Sequence, residues 1–333
     1  MQKFVNNPDF IVEDMINGYV KAHSDLIAHS ERNSHVVKYK NAPVKDKVGI
    51  VTGGGSGHEP AFLGYIGENM ADAVAVGEVF SSPPAQAFFD AFVEADAGKG
   101  VACLFGNYAG DNMNVKMAVM MAEDEDIEVK YVVATDDVAS APKENKEKRH
   151  GIAGGPLMWK IGGAKASKGG TLNEVIEVAK KVVDNTRSIC VGLSPCVIPA
   201  VGKPNFSIED GTMEFGVGHH GETGIKVEKL KTAKEIAEEM THTVVKDLEC
   251  PENTELVVIL SGLGSTPIME LYVLYDEVYN ILSQYGLKVH KALVGNYVTS
   301  LDMNGAALTI MSLDDELKEL FDMPSNSPGL IIK

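Results

Sequence analysis

Two hydrophobic patterns alternate along the first half of the chain. Short apolar, largely β-branched runs, Val48 to Thr52, Ala73 to Val76, Val101 to Phe105 and Val129 to Ala134, are separated by stretches with helical spacing. Such alternation predicts a mostly parallel α/β sheet. One intervening helix is marked by Ser82 as N-cap, Pro83 at its first position, a stripe of Phe88, Phe89, Phe92 and Val93, and Gly98 beyond its end. That stripe is expected to cover the sheet. A polar loop from Ala139 to Gly155 leads, through a glycine-punctuated segment, to an amphipathic helix over Leu172 to Val183. Val175, Ile176, Ala179, Val182 and Val183 share one face of it.

Polarity rises over Asp184 to Ser188, which predicts a boundary there and two domains, 1–186 and 187–333. The second half begins again with strands at Ile189 to Leu193, Leu256 to Leu260, Val289 to Val294 and Ala306 to Met311. VGIVTGGGSGHEP resembles LVVILSGLGSTP, and LFGNYAGDNMN resembles LVGNYVTSLDMNG, in the same order in both halves. The expected fold is therefore two related α/β domains, each a mostly parallel or mixed sheet flanked by helices. The stretch from Phe206 to Gly224 breaks the alternation with turn residues and reads as an irregular hairpin or loop.

Candidate chemistry gathers at three places. In KVGIVTGGGSGHEP an apolar run ends in Gly55, Ser56 and Gly57 and delivers His58 where a nucleotide-binding loop would place a lysine. Glu59 and Pro60 both favour a first helical turn, so His58 is expected at a helix start, where the dipole disfavours a charged ring. The P-loop, the dinucleotide fingerprint and the hydrolase elbow all fail at this histidine. A tight turn with a surface histidine is the alternative. In GVGHHG, glycines flank His219 and His220 and leave their imidazoles accessible, as reactive groups or as hydrogen-bonded loop histidines. No metal-ligand spacing accompanies them. Asp111 follows Gly110 just beyond a strand, either as a helix N-cap or on the sheet edge where open α/β folds bind ligands. Ser56 and His58 reach that same edge. Spacing alone thus leads to a small-molecule site containing His, Asp and Ser.

Composition narrows the partners. The 333 residues are 44% hydrophobic with a formal net charge of −17, which opposes nucleic acid and anionic lipid. The one concentrated basic stretch, Lys143 to His150, carries its own acidic residues and reads as a solvated loop. No apolar run has signal-peptide or membrane-span character, so a cytoplasmic protein is expected. Cys103, Cys190, Cys196 and Cys250 show no paired spacing and are expected to be reduced and mostly buried.

Taken together, GGGSGHEP, GEVFSSP, GNYAGD, GKPNF, MEFGVGHHGETG, GSTPIMELY and TSLDMNG resemble the K subunit of the dihydroxyacetone (glycerone) kinases, from Phe4 nearly to the C-terminus. The resemblance implies a phosphotransferase acting on an alcohol group. It implies that His220 adds to the ketose carbonyl as a hemiaminal, and that His58 and Asp111 contact substrate hydroxyls and assist deprotonation. Gly55, Ser56 and Gly57 match the turn that hydrogen-bonds the ketose. A neutral imidazole attacks a ketone and not an alcohol, so capture of this kind selects short keto-sugars over glycerol. No nucleotide loop or magnesium-holding acidic cluster is visible, although phosphoryl transfer needs a charge-neutralised donor. The resemblance supplies it from outside: no cofactor in this chain, with ADP or ATP and Mg²⁺ on a separate L subunit. That subunit is recharged by a phosphotransferase-system M subunit in the split form, or ATP serves as the phosphoryl source. A homodimer is expected, with no membrane or nucleic-acid partner.

Two positions depart from the family pattern. Gly106 stands where a lysine that reaches the substrate is common, and His219 where an aliphatic residue often precedes the reactive histidine. A contact is lost and room is gained. A four-carbon ketose such as erythrulose therefore competes with dihydroxyacetone as substrate. A non-catalytic ketose sensor acting as a transcriptional co-regulator is the other alternative; retention of His58 and Asp111 beside His220 favours the enzyme.

Overall fold

The computed structural model describes residues 2–333, which form two compact units. The first comprises residues up to Ala134, Gly155–Val182 and Leu317–Lys333; the second comprises Thr135–Gly154 and Val183–Glu316. Contacts therefore do not follow simple halves of the chain.

In chain order the first unit contains α1 (Ile11–Ala22), β1 (Ile27–His29), β2 (Val36–Tyr39), β3 (Gly49–Ser56), β4 (Ala73–Val79), α2 (Ala85–Ala95), β5 (Val101–Gly106), α3 (Ala109–Glu123), β6 (Val129–Ala134), α4 (Gly155–Ser167) and the greater part of α5 (Leu172–Asp184). Its sheet has the order β1-β2-β4-β3-β5-β6. The four strands from β4 to β6 are parallel, while β1 and β2 add antiparallel pairs at one side. Parallel strands need crossovers: α2 joins β4 to β5 across β3, and α3 joins the neighbours β5 and β6. The phenylalanine stripe behaves as its spacing predicts: Phe88, Phe89 and Phe92 are buried in a core with Val51, Ala73, Ala75 and Cys103. The helix start differs from expectation. Pro84 precedes the first helical residue, and the Ser82 hydroxyl is engaged by Asn114 of α3 at 3.1 Å instead of capping α2. On the opposite face α4 packs against β3 and β5, with the Trp159 indole N–H donating to the Leu104 carbonyl at 2.9 Å.

The second unit holds β7 (Thr186–Ser194), β8 (Thr212–Phe215), β9 (Lys226–Lys229), α6 (Ala233–Leu248), β10 (Glu255–Gly262), α7 (Ile268–Gln284), β11 (Lys288–Gly295) and β12 (Asn304–Leu313). Strand order is β11-β10-β12-β7-β8-β9. Only β10 and β11, joined by α7, are parallel; every other pair in this sheet is antiparallel. Helices α6 and α7 cover a core that includes Ile189, Met213, Leu256, Val258, Leu260 and Leu308. The segment Thr135–Gly154 joins this unit through Arg149, whose guanidinium forms a two-pronged pair with Asp247 at 2.8 and 2.7 Å while Arg187 donates to the same carboxylate at 2.6 Å. Burial alone would raise the Asp247 carboxyl, but the two guanidinium groups hold it below the usual range.

The last helix, α8 (Asp315–Asp322), carries the chain back to the first unit, where β13 (Ser325–Asn326) and β14 (Ile331–Ile332) pair. The buried Lys160 ammonium donates to the Leu320 carbonyl at 2.9 Å and anchors this return. Both sequence echoes fall at strand ends, β3 with β10 and β5 with β11, yet β5 leads into α3 whereas β11 leads directly into β12. No helix among the described residues is long and apolar enough to cross a membrane.

Candidate functional site

The glycine run at the end of β3 is required by close packing. A Cβ at Gly53 would lie 2.6 Å from the Phe88 ring, one at Gly54 would collide with Phe62, and one at Gly55 would lie 2.6 Å from the Ser81 nitrogen. Within the turn only Gly57 has a left-handed backbone, with φ +102°. The Ser56 hydroxyl donates to the Gly77 carbonyl at 2.7 Å, and both Glu59 oxygens accept the Gly57 N–H, at 3.0 and 3.1 Å. Burial raises the Glu59 carboxyl despite this hydrogen bond. Burial, together with the Glu59 charge, pushes the Tyr19 hydroxyl up to about 12.

His58 does not begin a helix. Its carbonyl accepts the Ala61 N–H at 3.1 Å, and the chain proceeds through a short 3₁₀ turn, Leu63–Tyr65. The helix-dipole argument for this ring is therefore overturned. The Gly-Ser-Gly turn and the ring of Phe80 place the imidazole instead: His58 is buried and stacked on Phe80, with centroids 5.0 Å apart and planes 23° from parallel. The Phe80 N–H in turn donates to the Ser56 carbonyl at 3.0 Å.

Asp111 lies in the first turn of α3, after Tyr108 as N-cap, where a carboxylate suits the helix dipole. Burial, and after it the charge of Asp111, raises the Cys103 thiol well above its ordinary value. A Cβ at Gly110 would stand 3.2 Å from that of Ser82, and Asn114 donates to the Ser82 hydroxyl and, at 2.8 Å, to the Pro83 carbonyl. The loop after β4 thus touches His58 at Phe80 and the start of α3 at Ser82. It brings Gly55, Ser56, Gly57, His58 and Asp111 to the edge of the first sheet formed by the C-terminal ends of its parallel strands. Gly106 ends β5 at that edge, its carbonyl accepting the Tyr108 N–H at 2.9 Å.

The second unit carries the histidine turn, which follows β8. The Gly218 N–H donates to the Glu222 carbonyl at 2.9 Å and the Gly221 N–H to the Gly218 carbonyl at 3.0 Å, closing a tight loop. Glu222 folds back over it: Oε2 accepts the His220 N–H at 2.9 Å, and Oε1 lies 2.8 Å from His220 Nδ1. Asn205 donates to the His220 carbonyl at 2.9 Å, and the Ser300 hydroxyl donates to the His219 carbonyl. The His220 side chain is 26% exposed. Burial would raise the Glu222 carboxyl, but the hydrogen bond from the His220 ring, its charge and the loop N–H groups hold it at about 2. His219 behaves differently. It is buried, and burial, then the neighbouring His220, push its ring down to about 4, so it is a neutral interior residue.

Sequence reasoning missed Glu222 and Asn205. The available signal was a carboxylate two residues beyond a histidine in a glycine-flanked turn. Among the described residues, no group of three or more His, Cys, Asp or Glu is placed to hold a metal ion.

The Dak1 domain family matches residues 17–329. This chain belongs to that family. The Dak1 chain is 40% identical over 328 residues to "PTS-dependent dihydroxyacetone kinase 2, dihydroxyacetone-binding subunit DhaK" of Listeria innocua serovar 6a, covering 98% of each chain. It is 38% identical over 334 residues to the L-erythrulose 1-kinase of Mycolicibacterium smegmatis, covering 99% of this chain and 58% of that protein. A solved structure titled "Dihydroxyacetone kinase operon co-activator Dha-DhaQ" matches with a TM-score of 0.88 and 32% identity, over 96% of this Dak1 chain and 98% of that one.

Proposed function

We propose that this chain is the ketose-binding subunit of a split dihydroxyacetone kinase. The observation that carries the reading is the pairing of His220 Nδ1 with the Glu222 carboxylate on a glycine turn, which orients the ring and leaves Nε2 as the nitrogen for nucleophilic work. In this reading His220 adds to the ketose carbonyl as a hemiaminal. His58 and Asp111 contact the hydroxyls, Asp111 accepting the proton of the hydroxyl that is phosphorylated. Gly55, Ser56, Gly57 and Gly106 line the ketose. A cytoplasmic homodimer presents it to a nucleotide-carrying L subunit with Mg²⁺, recharged through the phosphotransferase system. The L. innocua relative's name supports this arrangement.

Intact-mass measurement after incubation with dihydroxyacetone and with erythrulose tests the capture. Reconstitution with an L subunit and a phosphoryl donor tests turnover. An adduct on the wild-type chain that is absent from His220→Ala, followed by ketose phosphate formation, is the expected result; no adduct with either ketose overturns the reading. A four-carbon substrate is favoured as the second reading by the missing side chain at Gly106 and by the erythrulose kinase relative. The likeness to an operon co-activator supports a non-catalytic sensor, which would capture ketose and yield no phosphate.

A further inference from the structure

We propose that Glu222 is a positioning residue that fixes the tautomer of His220 and balances the charge its ring acquires on addition to a carbonyl. The inference rests on the reading of His220 as the capturing nucleophile. The backbone on either side of the ring is already pinned, at the His219 carbonyl by Ser300 and at the His220 carbonyl by Asn205. The ring's rotation is then set by Glu222, which grips both the backbone N–H and Nδ1 of the same residue. Two glycines make this grip possible: a Cβ at Gly218 would collide with Glu222 Oε2, and a Cβ at Gly221, where φ is +83°, with the Asn205 amide.

A carboxylate that stays ionised can only accept, so the Nδ1 atom facing it carries the proton. In the neutral ring the lone pair then resides on Nε2. As the bond from Nε2 to the carbonyl carbon forms, the π pair moves to oxygen and the ring becomes positive. The Glu222 carboxylate faces that charge across 2.8 Å. Proton uptake by the oxygen and release of the Nδ1 proton, through Glu222 to solvent, complete a neutral hemiaminal, so atoms and charge balance.

The test uses the full chain and the variants Glu222→Gln and Glu222→Ala. Nitrogen-15 NMR of labelled histidine reads the tautomer without any ketose, and intact mass reads the rate of adduct formation with dihydroxyacetone. The expected result is a proton on Nδ1 in the wild type; in Glu222→Gln the one amide oxygen accepts the His220 backbone N–H, so the amide NH₂ faces Nδ1 and the ring proton moves to Nε2. Adduct formation should be slower in Glu222→Gln by roughly 10- to 100-fold, the loss typical when the partner behind a metal-ligating histidine is changed. Glu222→Ala, which leaves the ring free to take either tautomer, should also be slower than the wild type, with a mixed tautomer. Thermal melting of Glu222→Gln close to wild type separates this from a folding defect. A wild-type ring protonated on Nε2, or either variant capturing ketose at the wild-type rate, overturns the proposal. If the wild type captures no ketose, the kinase reading fails and the tautomer alone decides the role of Glu222.

Discussion

Gly218 and Glu222 are matched in space: any side chain at position 218 would occupy the place of the Glu222 Oε2 oxygen. The Glu222 Cβ would also lie only 2.9 Å away, so the turn itself must shift along with the carboxylate. Gly218→Ala is therefore expected to destabilise by roughly 1–3 kcal/mol while releasing the His220 ring. Denaturant midpoints and the rate of ketose adduct formation check this together. Wild-type capture in the alanine variant would break the link between the two residues.

The Gly54 position is closed by an aromatic ring. A Cβ there meets the Phe62 ring, which is itself packed 5.5 Å from the Trp159 ring. Gly54→Ala overpacks this face of β3 and should destabilise by roughly 1–3 kcal/mol. Urea unfolding with an unchanged slope and a lowered midpoint is the expected signature.

Asp111→Asn should retain ketose binding and lower turnover on the order of 10²-fold or more, as removal of a general base does. Steady-state kinetics with a reconstituted L subunit, alongside intact mass, separates the two effects. Equal turnover in variant and wild type would remove Asp111 from that role.

His219 predicts a pH dependence of stability. Its ring titrates near 6.5 when unfolded and about 4 when folded, because burial opposes the charged form. The unfolded chain thus binds more protons between these values. The His219 contribution is fully present above about pH 6.5 and is lost as pH falls toward 4. Unfolding free energies of wild type and His219→Leu, measured from about pH 7 to about pH 4, should converge or cross as the wild type loses this increment. Parallel curves would contradict the assignment.

Legibility in the sequence followed the regularity of burial. Strands β3 to β6 and helices α2 and α5 lie against a large core, and their apolar spacing announces them. Strands β1 and β2 are not legible because they are three and four residues long amid charged neighbours. Strand β9 is mostly exposed and polar, and β8 is embedded in the glycine-rich stretch that reads as an irregular hairpin or loop. The helix expected at His58 failed because Glu59 turns back to the Gly57 N–H, a contact that Pro60 in the sequence does not disclose.

By itself the sequence determined the family, the α/β character and the histidine, aspartate and glycine residues on which a ketose site would be built. These depend on residue type and local spacing, which a linear chain displays directly. Tertiary structure decided which groups hold those residues: Phe80 against His58, Ser82 against Gly110, and Glu222 behind His220. Such relations depend on how close two backbones approach and which way a side chain turns, and these are set only when distant elements pack.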